Sequence, residues 1–395
     1  MEQYKNDLLR SLFFTHTQPP VLNLFIGTVY KLFPGSSTMV FQICFIAMGL
    51  ITALALYALM RRLGVCRAIA AVVTSIFILS PAFILYENLL FYEMPAIMLL
   101  TVSALLLCQW IDNRHIGYLI GILITTVLLV WTRSVFHLVW LVAAYGIVVL
   151  YSRRAWKPLL IALMVAAIPF AKNYIVFGEF TISTLLNTNI PKTTTRMLSE
   201  ETRIDLVSRD ILTPLGNVYP PPTPWDYYKA DLIETGIPIL DLEQVDGAVN
   251  YNNSVYLQMG RQYRKDAEYV FLHYPGAWIR GMKQALSIYF LPTYDWFKYR
   301  PPNRKHIGAM SATVPIKTVF IGVIVLSLSS MILFRHNKSY LAIMGYMLMT
   351  VLYVTLLTSA IEIGENQRFR FLTNPFMYTL AAVLISDIGR KIRHA

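Results

Sequence analysis

About nine apolar stretches divide this chain, near residues 38–60, 68–86, 94–111, 116–132, 135–151, 158–176, 314–334, 340–360 and 372–388. Each is about long enough to cross ~30 Å of hydrocarbon at ~1.5 Å per residue. Of the 395 residues 56% are hydrophobic and 14% charged, more apolar surface than a soluble domain hides. The expected class is an all-α polytopic membrane protein. Residues 1–36 read as an external N-terminal amphipathic segment and helix, and 37–176 as transmembrane helices one to six. Residues 177–313 read as an extracytoplasmic loop region of helical and irregular structure, and 314–395 as three further spans with a cytoplasmic C-terminus.

Charge orients these spans. Arg61, Arg62 and Arg67, then Arg114, then Arg153, Arg154 and Lys157, then Arg335 and Lys338, then Arg390, Lys391 and Arg393 all fall on one side of nine spans. The positive-inside rule makes that side cytoplasmic. The fourth and fifth stretches meet at Thr132-Arg133-Ser134. Fused, they would run roughly 50 Å, too long for one crossing, and would put the Arg153 cluster outside. Nine spans leave the N-terminus external, so the expectation is insertion with that end out or a further helix ahead of Met1. No cleavable signal peptide is apparent. The net charge of +12 sits mostly in loops beside spans and does not point to nucleic acid. Cys44, Cys66 and Cys108 lie in or beside spans, which argues against a disulfide framework.

In the large loop, Tyr219-Pro220-Pro221-Pro222-Thr223-Pro224-Trp225 cannot be helical. Residues 248–272 read as a helix ending before Pro275. Residues 276–290, with Trp278, Tyr289, Phe290, Arg280 and Lys283, suit the membrane surface. Trp296, Phe297 and Tyr299 fit an interfacial aromatic belt. No internal repeat and no broken span is apparent.

The unusual polar residues gather on the external side. His16 precedes a helix started by Pro19-Pro20 and reads as a metal ligand, a phosphate contact or a helix-start cap. Glu87 and Glu93 lie in an apolar stretch, where a carboxylate is expensive to desolvate and commonly lines a cavity; Glu93 is also placed to favour a helix N-terminus. Arg133, with His137 one turn on, and Lys172 read as snorkelling cations or lipid-phosphate contacts. Glu362, Glu365, Arg368 and Arg370 crowd one short loop, either as an ion-pair cluster or as a phosphate clamp. Asp7 reads as an exposed acid on an amphipathic helix. Together these residues suit transfer of a group from a lipid phosphate: a carboxylate to deprotonate a hydroxyl and cations to stabilise the departing phosphate. No Gly-rich nucleotide loop, zinc motif or nucleophile elbow is present.

At these residues the chain resembles the C-type (GT-C) membrane glycosyltransferases, among them the bacterial protein O-mannosyltransferases and aminoarabinose transferases. His16-Thr17-Gln18-Pro19-Pro20 with Asn23 is similar to the end of the family's first external loop. Ser80-Pro81 followed by Glu93 and Pro95 is similar to its second acidic motif. Gly364-Glu365-Asn366-Gln367-Arg368-Phe369-Arg370 with Pro375 is similar to its last-loop motif, and Lys172-Asn173-Tyr174 with Phe177-Gly178 is familiar from bacterial members. The resemblance implies a polyprenyl-phosphate-linked sugar donor used at the extracytoplasmic face of a bacterial inner membrane, with inversion. The acceptor would be a protein, a glycan or a lipid. It also implies an acid in the first external loop as base, often beside a divalent metal such as Mg or Mn. It makes Glu93 and Asp7 the candidate catalytic acids. His16, Gln18, Glu87, Arg133, Lys172, Glu365, Arg368 and Arg370 become candidate substrate contacts, with His16 also a candidate metal ligand. The family's first acid follows a transmembrane helix, and none precedes Asp7 here.

The glycosyltransferase reading expects an external cavity lined by Glu93, His16, Arg368 and Arg370, open laterally to lipid. Two alternatives remain: a lipid or solute transporter, and a catalytically inactive scaffold or partner subunit.

Overall fold

The computed structural model describes residues 7–218, 234–245, 248–291 and 307–394. The proline-rich turn at 219–225 and the Trp296, Phe297 and Tyr299 cluster lie outside the described residues. In chain order the helices are α1 (Leu8–Phe14), α2 (Pro20–Leu32), α3 (Ser37–Arg62), α4 (Arg67–Ile78), α5 (Pro81–Glu87), α6 (Glu93–Asn113), α7 (Ile116–Thr132), α8 (Leu138–Tyr151), α9 (Trp156–Ala166) and α10 (Ile168–Phe177). There follow α11 (Leu185–Thr193), α12 (Glu200–Ser208), α13 (Pro238–Asp241), α14 (Val255–His273), α15 (Pro275–Tyr289), α16 (Ile307–Leu333), α17 (Lys338–Ile361) and α18 (Asn366–His394). The β structure among the described residues is one antiparallel pair, β1 (Gln244–Val245) with β2 (Ala248–Val249).

The protein is an integral membrane protein. Among the described residues five helical segments are long and apolar enough to cross a membrane: α3, α6, α9 with α10, the Pro315–Leu333 portion of α16, and α17. A sixth appears if α4 and α5 count as one span. The stretch 68–86, expected to run unbroken, bends by 61° between these two helices. The cause is local: Ser80 accepts the Phe83 amide proton at 3.3 Å and Pro81 opens the new helix, so the chain restarts instead of continuing. Helices α9 and α10 adjoin at Ala167, two residues before Pro169, and together form one span. Helices α7 and α8 are separate, as the basic turns required, but are 17 and 14 residues long.

Within residues 177–313 a helix starts later than expected. Residues 248–249 pair with β1, and the helix begins at Val255. Asn250 donates its side-chain amide to Ile239 O and Leu242 O, both at 2.8 Å, and Asn253 Oδ1 accepts the Val255 amide at 2.9 Å. Asparagine side chains here replace the backbone bonds of a helical turn.

The chain forms two compact units, each discontinuous in sequence. The first comprises 1–37, 168–288 and 356–366; the second comprises 38–167, 289–355 and 367–395. In the first, small apolar cores among the described residues hold the loop region. Leu215, Val255, Tyr256, Met259 and Tyr263 form one; Leu198, Leu206, Leu212, Val270 and Ala277 form another; Phe177, Ile239 and Leu240 form the third. Buried Glu179 takes Arg261 at 3.0 Å and Arg264 at 2.7 Å, fixing the chain after α10 to α14.

In the second unit, helix ends sort into two levels. At one level Arg62 pairs with Asp112 at 3.2 Å, the Arg114 guanidinium lies 4.3 Å from the Tyr151 ring centre, and Tyr151 bonds Ser339 at 3.2 Å. Ser386 reaches Gly64 O there at 3.4 Å. At the other level the start of α6, the end of α7 and the start of α18 converge. Between the levels Trp140 bonds Thr350 at 3.1 Å and Ser103 bonds Tyr346 at 2.7 Å, polar pairs satisfied inside the bundle where hydrocarbon offers no water.

Candidate functional site

The convergence level of the second unit carries a buried three-charge cluster. Glu93 is the first residue of α6 and is fully buried. Its Oε1 lies 3.1 Å from Arg368 Nε and 3.6 Å from Arg133 Nη2. Arg368 sits in the first turn of α18 and Arg133 caps the C-terminus of α7, so three distant stretches of sequence meet here. Both arginines are buried, and the ion pairs of the cluster join one carboxylate to two guanidinium groups.

Aromatic rings close it. The Arg133 guanidinium lies 5.2 Å from the Tyr92 ring centre and 4.8 Å from that of Phe369; the Arg368 guanidinium lies 4.6 Å from that of Phe91. Each ring presents a negative face to a cation, which partly offsets the extra positive charge. Guanidinium groups held against one carboxylate at this level suit contact with oxyanions.

Arg370, two residues on, does something else. It donates from Nη1 to Tyr289 O at 2.8 Å and from Nη2 to Leu291 O at 3.0 Å. Those carbonyls close the end of α15, so Arg370, an expected phosphate contact, clamps a helix end in this structure. Glu87, at the end of α5, brings its carboxylate against Gly49 of α3.

The other candidates belong to the first unit. His16 is fully buried. Its Nε2 faces Asn252 O at 2.9 Å and must donate; its Nδ1 faces the Thr184 hydroxyl at 2.7 Å and therefore accepts in the neutral ring. Burial first, and then the Lys172 charge, push its pKa down to about 4 against the partial opposition of the Asn252 carbonyl. Thr17 and the His16 backbone also bond Asn252, and Ser183 donates to Thr17 O at 2.5 Å. Lys172 donates to Thr15 O at 2.6 Å. Gln18 accepts from Asn23 at 3.4 Å. The His16-to-Pro20 motif is thus a knot that ties 15–18, 183–184 and 252 together.

Asp7 is the N-cap of α1, accepting the Arg10 amide at 3.2 Å, and is exposed. The expected catalytic acid thus makes a capping bond in this structure. Glu365 is partly exposed in the loop before α18. In that loop buried Glu362 meets Lys192 at 3.2 Å, and Asn366 donates to Thr358 O and Glu362 O at 3.2 and 2.9 Å.

A divalent metal does not fit these residues. Both ring nitrogens of His16 are bonded to protein groups, and Glu93 has two guanidinium neighbours in place of a second carboxylate. Among the described residues no group of three His, Cys, Asp or Glu side chains is placed to hold an ion.

Sequence reasoning found Glu93, Arg133 and Arg368 but missed their ring partners. Phe91 and Tyr92, directly before the acid, were the available signal. It also missed Asn252, Glu179 and Lys192, because nothing in a loop sequence shows which distant segment a polar side chain reaches. Comparison with protein-family models, with curated proteins and with solved structures finds no match to this chain.

Proposed function

We propose that the protein is a membrane glycosyltransferase of GT-C type, with about nine transmembrane helices. It moves a sugar from a polyprenyl-phosphate donor to an acceptor hydroxyl at the extracytoplasmic face. The observation that carries this reading is the contact of Glu93 with Arg368 and Arg133, from three separate stretches at one level of the helix bundle.

The chemistry follows from the pairing of one acid with two guanidinium groups. A donor phosphate competes with Glu93 for the two guanidiniums, and their planar forks suit its oxygens. Once the phosphate holds them, the carboxylate is released to take a proton. The acceptor oxygen then bonds to the anomeric carbon, its proton passes to Glu93, and the carbon–oxygen bond to phosphate breaks with its electron pair going to the phosphate. Arg133 and Arg368 stabilise that developing charge, the electrostatic contribution that usually dominates such transfers. The closed cluster opens for this step, since Glu93 is shut off from solvent.

Mass spectrometry of lipid co-purified with the protein tests the reading. A polyprenyl phosphate, with or without its sugar, should be retained by the parent and depleted in Arg368→Gln. Retention of ordinary phospholipids alone, in equal amounts by both, would remove the donor.

One observation favours a second reading, transport of a lipid or solute. The α4–α5 pair is broken, and it sets the Glu87 carboxylate against Gly49 near the middle of α3. Broken helices carrying an acid at depth are a transporter device. Facilitated movement of a labelled polyprenyl-phosphate sugar across vesicles, with no transfer product, would favour it.

A further inference from the structure

In the first unit an apolar groove of about 380 Å³ opens between the end of α11, the last turn of α14, the start of α15 and the end of α17. Phe271, Leu272, Trp278, Ala360 and Ile361 are among its lining residues. Two contacts fix its shape. Trp278 donates its indole N–H to Ala360 O at 2.9 Å. The Phe271 ring stands edge-on to the Trp278 ring, with centres 4.8 Å apart and planes at 70°. The indole N–H is thereby satisfied, and the body of the ring is left as an apolar wall.

The exposure around the groove changes character along the chain. Earlier in α14 the exposed residues are charged: Arg261, Arg264, Lys265 and Glu268. Glu268, which also lines the groove, is held by Arg264 at 3.8 Å. From the last turn of α14 into α15 the exposed side chains include Phe271, Leu272, which is 72% exposed, and Ile279. An apolar patch rimmed by polar residues marks a protein or membrane contact. Helix α17 decides between them. It is one of the helices long and apolar enough to cross a membrane, and Leu356, 60% exposed, lies one turn before Ala360 on the same face. The apolar side of the span therefore runs on into the groove. On α15, Arg280 and Lys283 are also exposed, Arg280 donating to Met197 O at 2.9 Å. Cations beside an apolar rim suit headgroup phosphates. We propose that the groove takes an acyl chain of a membrane phospholipid and so seats the α14–α15 corner in the leaflet at that end of α17. Its occupancy is independent of the Glu93 chemistry and is read without turnover.

The test is photolabelling of the full chain in nanodiscs holding one copy each. The probe is a phosphatidylcholine with a diazirine on one acyl chain, and the labelled residues are mapped on peptides. Exposed Val325 of α16, within a span, marks ordinary lipid contact. The parent should carry label on 267–279 as well as at Val325. Ala360→Phe, which fills the groove from its floor, should lose the 267–279 label and keep that at Val325. Leu272→Glu, a charge on the exposed rim that leaves the core untouched, should do the same and serves where Ala360→Phe fails to fold. Arg209→Gln, at an exposed residue paired with Asp205, should keep both labels. No label on 267–279 in the parent, or equal label there in the parent and either groove variant, would overturn the proposal. Label present with one copy per disc and lost with two would overturn it in favour of a second copy of the chain as occupant.

Discussion

Arg368 holds its Nε 3.1 Å from the carboxylate of Glu93, with Arg133 on the same oxygen at 3.6 Å. All three side chains are shut away from solvent. Removing the acid alone strands two buried cations, and breaking such a pair costs about 3–5 kcal/mol. Glu93→Ala should therefore lower stability by about that much. Glu93→Gln with Arg368→Gln should cost less than the sum of the two single changes, with a coupling of about 1–3 kcal/mol. Thermal unfolding of the four proteins in one detergent measures it, and strict additivity would mean the pair is not coupled.

Arg370 should behave unlike Arg368. Its two bonds go to main-chain carbonyls at the end of α15, and hydrogen bonds from a charged donor contribute about 1.5–3 kcal/mol each. Arg370→Ala should lower stability by about 3 kcal/mol and leave donor retention unchanged in the protein that remains folded. Lysine at this position should recover part of the loss. A selective loss of lipid retention with unchanged stability would restore Arg370 as a ligand contact.

His16 gives the protein a pH dependence of defined sign. Its folded pKa of about 4 lies below the unfolded value near 6.5. Above the unfolded pKa both states are neutral and the ring adds no pH dependence. Between the two values the unfolded chain binds a proton that the folded one excludes, so stability falls as pH falls through that window. The loss by the lower end is about 3 kcal/mol. His16→Gln should be less stable than the parent near neutral pH and should have a flatter profile across the window. Equal slopes for variant and parent in thermal melts at stepped pH would place the acid sensitivity elsewhere.

Gly281 is fixed by packing. On α15 it faces the main chain of Thr193, and a methyl group there would overlap the Thr193 backbone. Gly281→Ala should cost about 1–3 kcal/mol, the range for forcing extra volume into a packed contact. Gly276→Ala on the same helix meets only the flexible end of Arg280 at 3.8 Å and should be near neutral. Equal effects of the two substitutions would show that the close approach is not maintained.

How much of this was legible in the sequence depended on the kind of signal. Apolar length and the basic turns gave the helices and the split between α7 and α8, because burial in hydrocarbon imposes both on composition. The break at Ser80-Pro81 was written in the chain but hidden by the unbroken apolarity of 68–86. At Glu93, the cost of placing an acid among apolar residues was enough to single it out, and the arginines of the last loop stood out by density. What density could not separate was Arg368 from Arg370. Two residues apart on a helix, they face different partners, and only the fold says that one meets an acid and the other a helix end. His16 was equally visible and differently used: a histidine just before a helix says nothing of the Asn252 carbonyl brought to it from a distant loop.

The most direct measurement is sugar transfer by the purified protein in nanodiscs, from a labelled polyprenyl-phosphate donor to an acceptor fraction of the envelope. Parent protein and Arg209→Gln should form labelled product at equal rates. Glu93→Gln should retain the donor and fall by orders of magnitude in rate, as expected when a general base is lost. Undiminished transfer by a folded Glu93→Gln, or no transfer by the parent with any polyprenyl-phosphate sugar, would contradict a glycosyltransferase built on Glu93.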